Sequence, residues 1–133
     1  MDKPSYGIVT QVAGSIDAVQ PHVVAALSAE GFGILSEIDV AATLKKKLGR
    51  EIRPYRILGA CNPPLASRAV DAEPHVGLLL PCNVLLQEME PGVTVVSALD
   101  PDAMFGMIEG DGLASVAKEA SASLRRALAA LTA

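Results

Sequence analysis

Tryptophan is absent from the 133 residues, and Tyr6, Phe32, Tyr55 and Phe105 are the only aromatic side chains. A core for this chain must therefore be built from Val, Leu, Ile and Ala, and burial of each large aliphatic side chain contributes about 1.5–3 kcal/mol. Cysteine is equally scarce, with Cys61 and Cys82 alone. A chain of this length buries roughly two-thirds of its unfolded surface, so its stability requires neither disulfide nor metal staples. No apolar run approaches the ~20 residues of a bilayer-spanning helix. The start, Met1-Asp2-Lys3-Pro4, lacks the charged and then apolar pattern of a secretory signal. A soluble cytoplasmic protein with reduced thiols is the expectation.

Positive charge is also thin. The formal net charge is −4, the acids are scattered, and no row of basic residues is long enough to neutralise a line of phosphates. Nucleic acid is not an expected partner. Motifs that would announce a familiar chemistry are missing too: there is no glycine-rich phosphate loop, G-x-S-x-G elbow, C-x-x-C pair or H-E-x-x-H helix. Their absence argues against nucleotide-dependent enzymes, standard hydrolases, thioredoxin-like catalysts and zinc proteases.

What is present is a regular alternation of elements. Residues 5–13 are rich in strand formers, with Ile8, Thr10 and Val12 on one face. A helix follows, capped by Ser15 or Asp17 and carrying Val19, Val23 and Leu27, with Pro21 near its start and Gly31 as its stop. Residues 32–38 read as a second strand. Asp39 caps the next helix, in which Val40, Leu44 and Leu48 recur four residues apart, Lys45, Lys46 and Lys47 form a solvated C-terminal end, and Gly49 supplies the stop. Residues 55–61 make a third strand. Asn62 caps a short helix with Pro63 at its first position and Leu65, Ala66, Ala69 and Val70 on its apolar face.

The backbone state of residues 75–81 is not readable, because Gly77 and Pro81 interrupt an apolar run. Residues 82–89 and 93–99 form two strands joined through Glu90-Pro91-Gly92, an antiparallel hairpin. Asp100-Pro101 opens a turn or short helix bearing Met104 and Phe105. The last helix, from about Asp111 to Leu131, has a stripe of Leu113, Val116, Ala117, Ala120, Leu124, Ala127, Leu128 and Leu131 that reads as core packing. The fold class expected is α+β: a two-layer sandwich in one domain over residues 1–133, with a mixed, mainly antiparallel sheet of about five strands covered by helices on one face.

Candidates for chemistry are few. His22 and His75 belong to no metal-ligand spacing. Cys61 stands at a strand end before a helix, where free backbone N–H groups and the helix dipole favour an anion and can lower a thiol pKa. Cys82 lies near it if the two strands are neighbours. The structural alternative is that both cysteines are small buried hydrophobes and Asn62 only a cap. Glu37 and Asp39 form the other polar pair. Asp39 serves as a helix cap, while Glu37 faces either solvent or a cleft beside the cysteines.

Three segments, residues 31–40 (GFGILSEIDV), 55–63 (YRILGACNP) and 77–84 (GLLLPCNV), closely resemble the bacterial and archaeal domain-of-unknown-function family 302. Ala98-Leu99-Asp100-Pro101 and Met104 fit the same pattern. The resemblance implies a bacterial α+β domain that forms a homodimer, and it assigns no activity. Three readings of function stand. The first is a module binding a small ligand, anion, metal or cofactor, the cofactor itself unknown, at a cleft of Glu37, Cys61, Asn62 and Cys82, with the two thiols as candidate metal ligands. The second is a homodimeric scaffold without chemistry. The third is a thiol-dependent redox enzyme with Cys61 as nucleophile and Cys82 as resolving thiol, although no complete catalytic set is visible.

Overall fold

A computed structural model describes residues 3–108 and 112–132. Strand β1 (Gly7–Ala13) leads to α1 (Ile16–Ala29), β2 (Gly33–Asp39), α2 (Val40–Leu48), β3 (Tyr55–Cys61) and α3 (Pro63–Ala72). A 3₁₀ helix over Pro74–Leu79 accounts for much of the segment that the sequence left unread. Strands β4 (Cys82–Glu90) and β5 (Val93–Leu99), then α4 (Pro101–Phe105) and α5 (Ala114–Ala130), complete the order. The expected start of the last helix at Asp111 lies outside the described residues.

Local capping chemistry sets most of these boundaries. Ser15 accepts from Ala18 N–H at the head of α1, and Asp39 accepts from Ala42 N–H at the head of α2. At the end of α1, Gly31 takes φ +86° while Gly31 and Phe32 N–H donate to the Ser28 and Leu27 carbonyls. Both bonds belong to a Schellman stop, and its apolar contact is supplied by Leu27 and Phe32, both buried. Pro21 sits in the second turn of α1 rather than the first, so the Asp17 carbonyl lacks its usual donor four residues on.

The five strands lie in the order β1-β5-β4-β3-β2, and all four pairings are antiparallel. The mainly antiparallel sheet is thus antiparallel throughout, without the parallel pair that the early strand–helix alternation suggested. Helix α1 carries the chain across the whole sheet: β1 and β2 run in the same direction but occupy opposite edges and never hydrogen-bond.

Alternation along the strands gives the sheet two unlike faces. One carries Leu58, Ala60, Val84, Leu86, Val96 and Ala98, packed against Ile16, Val19, Val23 and Leu27 of α1 and Leu124, Ala127 and Leu128 of α5. The other presents Val9, Tyr55, Ile57, Leu85, Val95 and Gln87, of which Val9, Tyr55, Ile57 and Leu85 stay partly exposed. A second hydrophobic cluster joins Ala69 of α3, Val76, Phe105 of α4, and Leu113, Val116 and Ala117. It lies beyond the end of the sheet where β3 finishes and β4 starts.

Candidate functional site

The seam between the two clusters is incompletely filled. A cavity of about 270 Å³ opens there, lined by Ala60, Cys61 and Asn62 from the end of β3, Leu65, Ala66 and Ala69 from α3, and Leu80, Pro81 and Cys82 at the entry to β4. Phe32 and Leu35 close the side nearest β2, Phe105 comes from α4, and Val116 and Ala120 come from α5. Almost every accessible atom of this lining is apolar. Four of the lining residues are alanines, at positions where helices and sheet approach one another. A leucine at any of them would occupy the space that now stands open.

Several local features hold these walls in place. Asn62 uses both ends of its amide: Oδ1 accepts from Leu65 N–H at 3.3 Å as the cap of α3, and Nδ2 donates to the Glu30 carbonyl at 3.4 Å, the last residue before the turn out of α1. The start of α3 is thereby tied to the end of α1. On the outer side, Arg68 of α3 bonds the Glu119 carboxylate and the Ser115 hydroxyl of α5. Asp100 caps α4 by accepting from Asp102 N–H at 3.1 Å, and its second oxygen accepts from Arg125 at 2.8 Å. That pair fixes the helix bearing Phe105 against α5.

Gly59 is required for a different reason. A methyl group at this position would stand 2.9 Å from the Pro81 ring and still closer to the Ser36 hydroxyl. Only hydrogen lets Pro81, on the cavity wall, and Ser36, on the neighbouring edge strand, meet over β3.

The β3–β4 pairing sets Ala60 opposite Cys82, so Cys61 is one residue beyond the paired position. Cys61 is half-buried and Cys82 is buried, and both are free thiols. Removal from water, with a smaller contribution from a Cys61 charge, pushes the Cys82 thiol up to about 11. Cys82 is therefore a neutral thiol at physiological pH and reacts more slowly than an exposed one.

The four residues singled out by sequence do not all meet. Cys61, Asn62 and Cys82 share the cavity. Glu37 is an exposed residue of β2, opposite Leu58 and outside the lining. The register of β2 shifts between Ile34 and Ser36, which inverts the alternation downstream. After that bulge Ile38, paired with Ile57, joins the less covered sheet face and is 49% exposed. The apolar majority of the cavity was visible only in fragments. Leu65, Ala66 and Ala69 formed an amphipathic helix face, and Val116 and Ala120 belonged to a stripe read as core. Their convergence on one space depends on contacts between distant segments. A run of alanines among the large residues of facing helices was the signal that the packing would be loose.

The described residues offer no group of three or more His, Cys, Asp or Glu placed to hold a metal ion. No helix among them is long and apolar enough to cross a membrane. No curated protein matches the chain. A solved crystal structure of an uncharacterised conserved DUF302 protein from Bacillus stearothermophilus is similar to it, with a TM-score of 0.86 and 27% identity, covering 95% of this chain and 98% of the other. The family model described as "Domain of unknown function DUF302" matches residues 8–131, blocks and cavity included, and on that match this chain belongs to the DUF302 family.

Proposed function

We propose that this protein is a small cytoplasmic binding module whose site is the cavity between α3, α5 and the β3–β4 end of the sheet. The supporting observation is the lining: a space of about 270 Å³ walled by apolar atoms, just below the usual range of small-molecule pockets. Such a wall favours an apolar molecule the size of a bicyclic ring over an anion or a metal. The cavity lining has no cationic side chain, both ends of the Asn62 amide are engaged, and only two soft donors are at hand. Titration of the reduced protein with indole, followed by ligand-observed NMR, tests this reading. Binding is expected in the parent chain and loss of binding in Ala120→Leu, which fills the cavity. Indole binding that is absent, or unchanged in Ala120→Leu, refutes it.

We also infer homodimerisation through the less covered sheet face. The strip of Val9, Val95, Leu85 and Ile57 on that face is uncharged, while Glu90 stands at one end and the Arg53 guanidinium lies over the Tyr55 ring and bonds Gln87 beside it. A two-fold contact sets a patch against itself, so an uncharged patch meets its copy without like-charge repulsion. Sedimentation at micromolar concentration is expected to give about twice the 13.7 kDa chain mass and Leu85→Lys to give the monomer. A parent chain that sediments as a monomer removes the inference.

A further inference from the structure

The geometry points to a reversible disulfide between Cys61 and Cys82 that regulates the cavity, an inference that rests on the ligand-binding reading above. The pairing of Ala60 with Cys82 fixes the backbone distance. With strands ~4.8 Å apart and a rise of ~3.4 Å per residue, Cys61 and Cys82 have Cα atoms about 6 Å apart, inside the range that a disulfide spans. Strict alternation would turn the two side chains to opposite faces of the sheet. Cys61, still paired with Gly33 of β2, is however the last residue of β3 before the Asn62 cap, and both cysteines line the one cavity.

Their unequal exposure gives the two thiols different roles. Cys61, half-buried at the rim, is the one a soluble reagent reaches, whereas Cys82 lies inside. A low-molecular-weight disulfide, RSSR, supplies the oxidising equivalents. The Cys61 thiolate attacks one sulfur, forming a Cys61–SR bond and expelling RS⁻. Cys82 then loses its proton to solvent and attacks Cys61 Sγ. The Cys61–SR bond breaks, the protein disulfide forms and a second RS⁻ leaves. Two protein thiols are oxidised and one small disulfide is reduced to two thiols. Capping Cys61 as the mixed disulfide also removes the negative charge that opposes Cys82 ionisation, so the first step prepares the second.

Closing the bond draws the Cys61 side chain inward, into volume that a ligand needs. The full chain is incubated with 2-hydroxyethyl disulfide, analysed by intact mass, and titrated with indole before and after. Loss of two hydrogens is expected for the parent chain, a stable mixed adduct for Cys82→Ser, and slow reaction for Cys61→Ser. Indole affinity is expected to fall roughly tenfold on oxidation, as for other overpacked apolar sites, and to recover on reduction. A parent chain that stops at the mixed adduct overturns the disulfide. A disulfide that leaves indole affinity unchanged overturns the regulation and leaves ligand binding standing. Reduced protein that ignores indole removes the binding reading and the regulation together, while the mass shift still decides the disulfide.

Discussion

Replacing Asn62 by Asp and by Ala separates its two bonds. Asn62→Ala deletes the 3.3 Å cap to Leu65 N–H and the 3.4 Å bond to the Glu30 carbonyl. Both are long, so the low end of each range applies: about 0.5–1 kcal/mol for the cap and about 0.5 kcal/mol for the tie. A total near 1–1.5 kcal/mol corresponds to a urea midpoint about 0.5–1 M lower at unchanged m. Asn62→Asp keeps an acceptor for Leu65 N–H and adds a favourable charge at a helix N-terminus, about 0.3–1 kcal/mol. It also replaces the donor facing Glu30 by a second acceptor, which leaves the carbonyl unpaired beside a carboxylate at a cost of about 1–3 kcal/mol. The balance makes Asn62→Asp less stable than the parent, although Asp and Asn are equally good caps in isolation. Urea unfolding at neutral pH, followed by far-UV circular dichroism, reads both variants. An Asn62→Asp protein as stable as the parent would refute the tie between α1 and α3. An Asn62→Ala protein within about 0.3 kcal/mol of the parent would refute the cap as well.

Three further outcomes are expected. Cys82 is neutral in the folded chain up to about 11 and ionises near 9.0 when unfolded, so its contribution is complete below pH 9 and drains away as pH rises towards 11. Stability measured over that window should drop by roughly 2 kcal/mol more for the parent than for Cys82→Ala, and parallel curves would contradict the assignment. Gly59→Ala should destabilise the fold by about 1–3 kcal/mol through the clash with Pro81 and Ser36, with partial recovery in Gly59→Ala/Ser36→Gly. Thermal melts that show no cost for the single variant would mean that the three residues do not meet over β3. In folded protein a maleimide should label Cys61 well before Cys82, assigned with Cys61→Ser and Cys82→Ser, whereas equal slow labelling would make both thiols core residues.

Much of the fold is legible in the sequence because its punctuation is local. Ser15, Asp39 and Asn62 cap the helices that follow them, and Gly31 and Gly49 adopt the positive φ that ends the helices before them. The Glu90-Pro91-Gly92 turn likewise marks a hairpin whose strands are adjacent in the chain. Strand order is another matter, since nothing near Gly7–Ala13 says that its partner is Val93–Leu99. The bulge after Ile34 is equally silent: it sets Glu37 opposite Leu58 on the helix-covered face, where at the edge strand it is exposed and outside the cavity lining. Around the cavity, Cys61 and Cys82 were legible as neighbours because they flank consecutive strands. The second bond of Asn62 was not, because its acceptor Glu30 is 32 residues away at the end of another helix.

The edge position of β1 has a consequence for the order in which the chain is assembled. Its seven residues hydrogen-bond to β5 alone, so the first strand to be synthesised has no sheet partner until the fifth has been made. Ile8 and Val12 also pack into the cluster completed by Leu124, Ala127 and Leu128 of α5. During translation, β2, β3 and β4 can form their antiparallel ladder from neighbouring segments while β1 waits as an apolar tail. Closing a loop of about eighty residues to seat it sets a slow final event, of the kind that limits folding in domains rich in distant contacts. A nascent chain halted before Val93 therefore carries an unpaired strand at its head, and it is this intermediate, more than the finished domain, that a chaperone would have reason to hold.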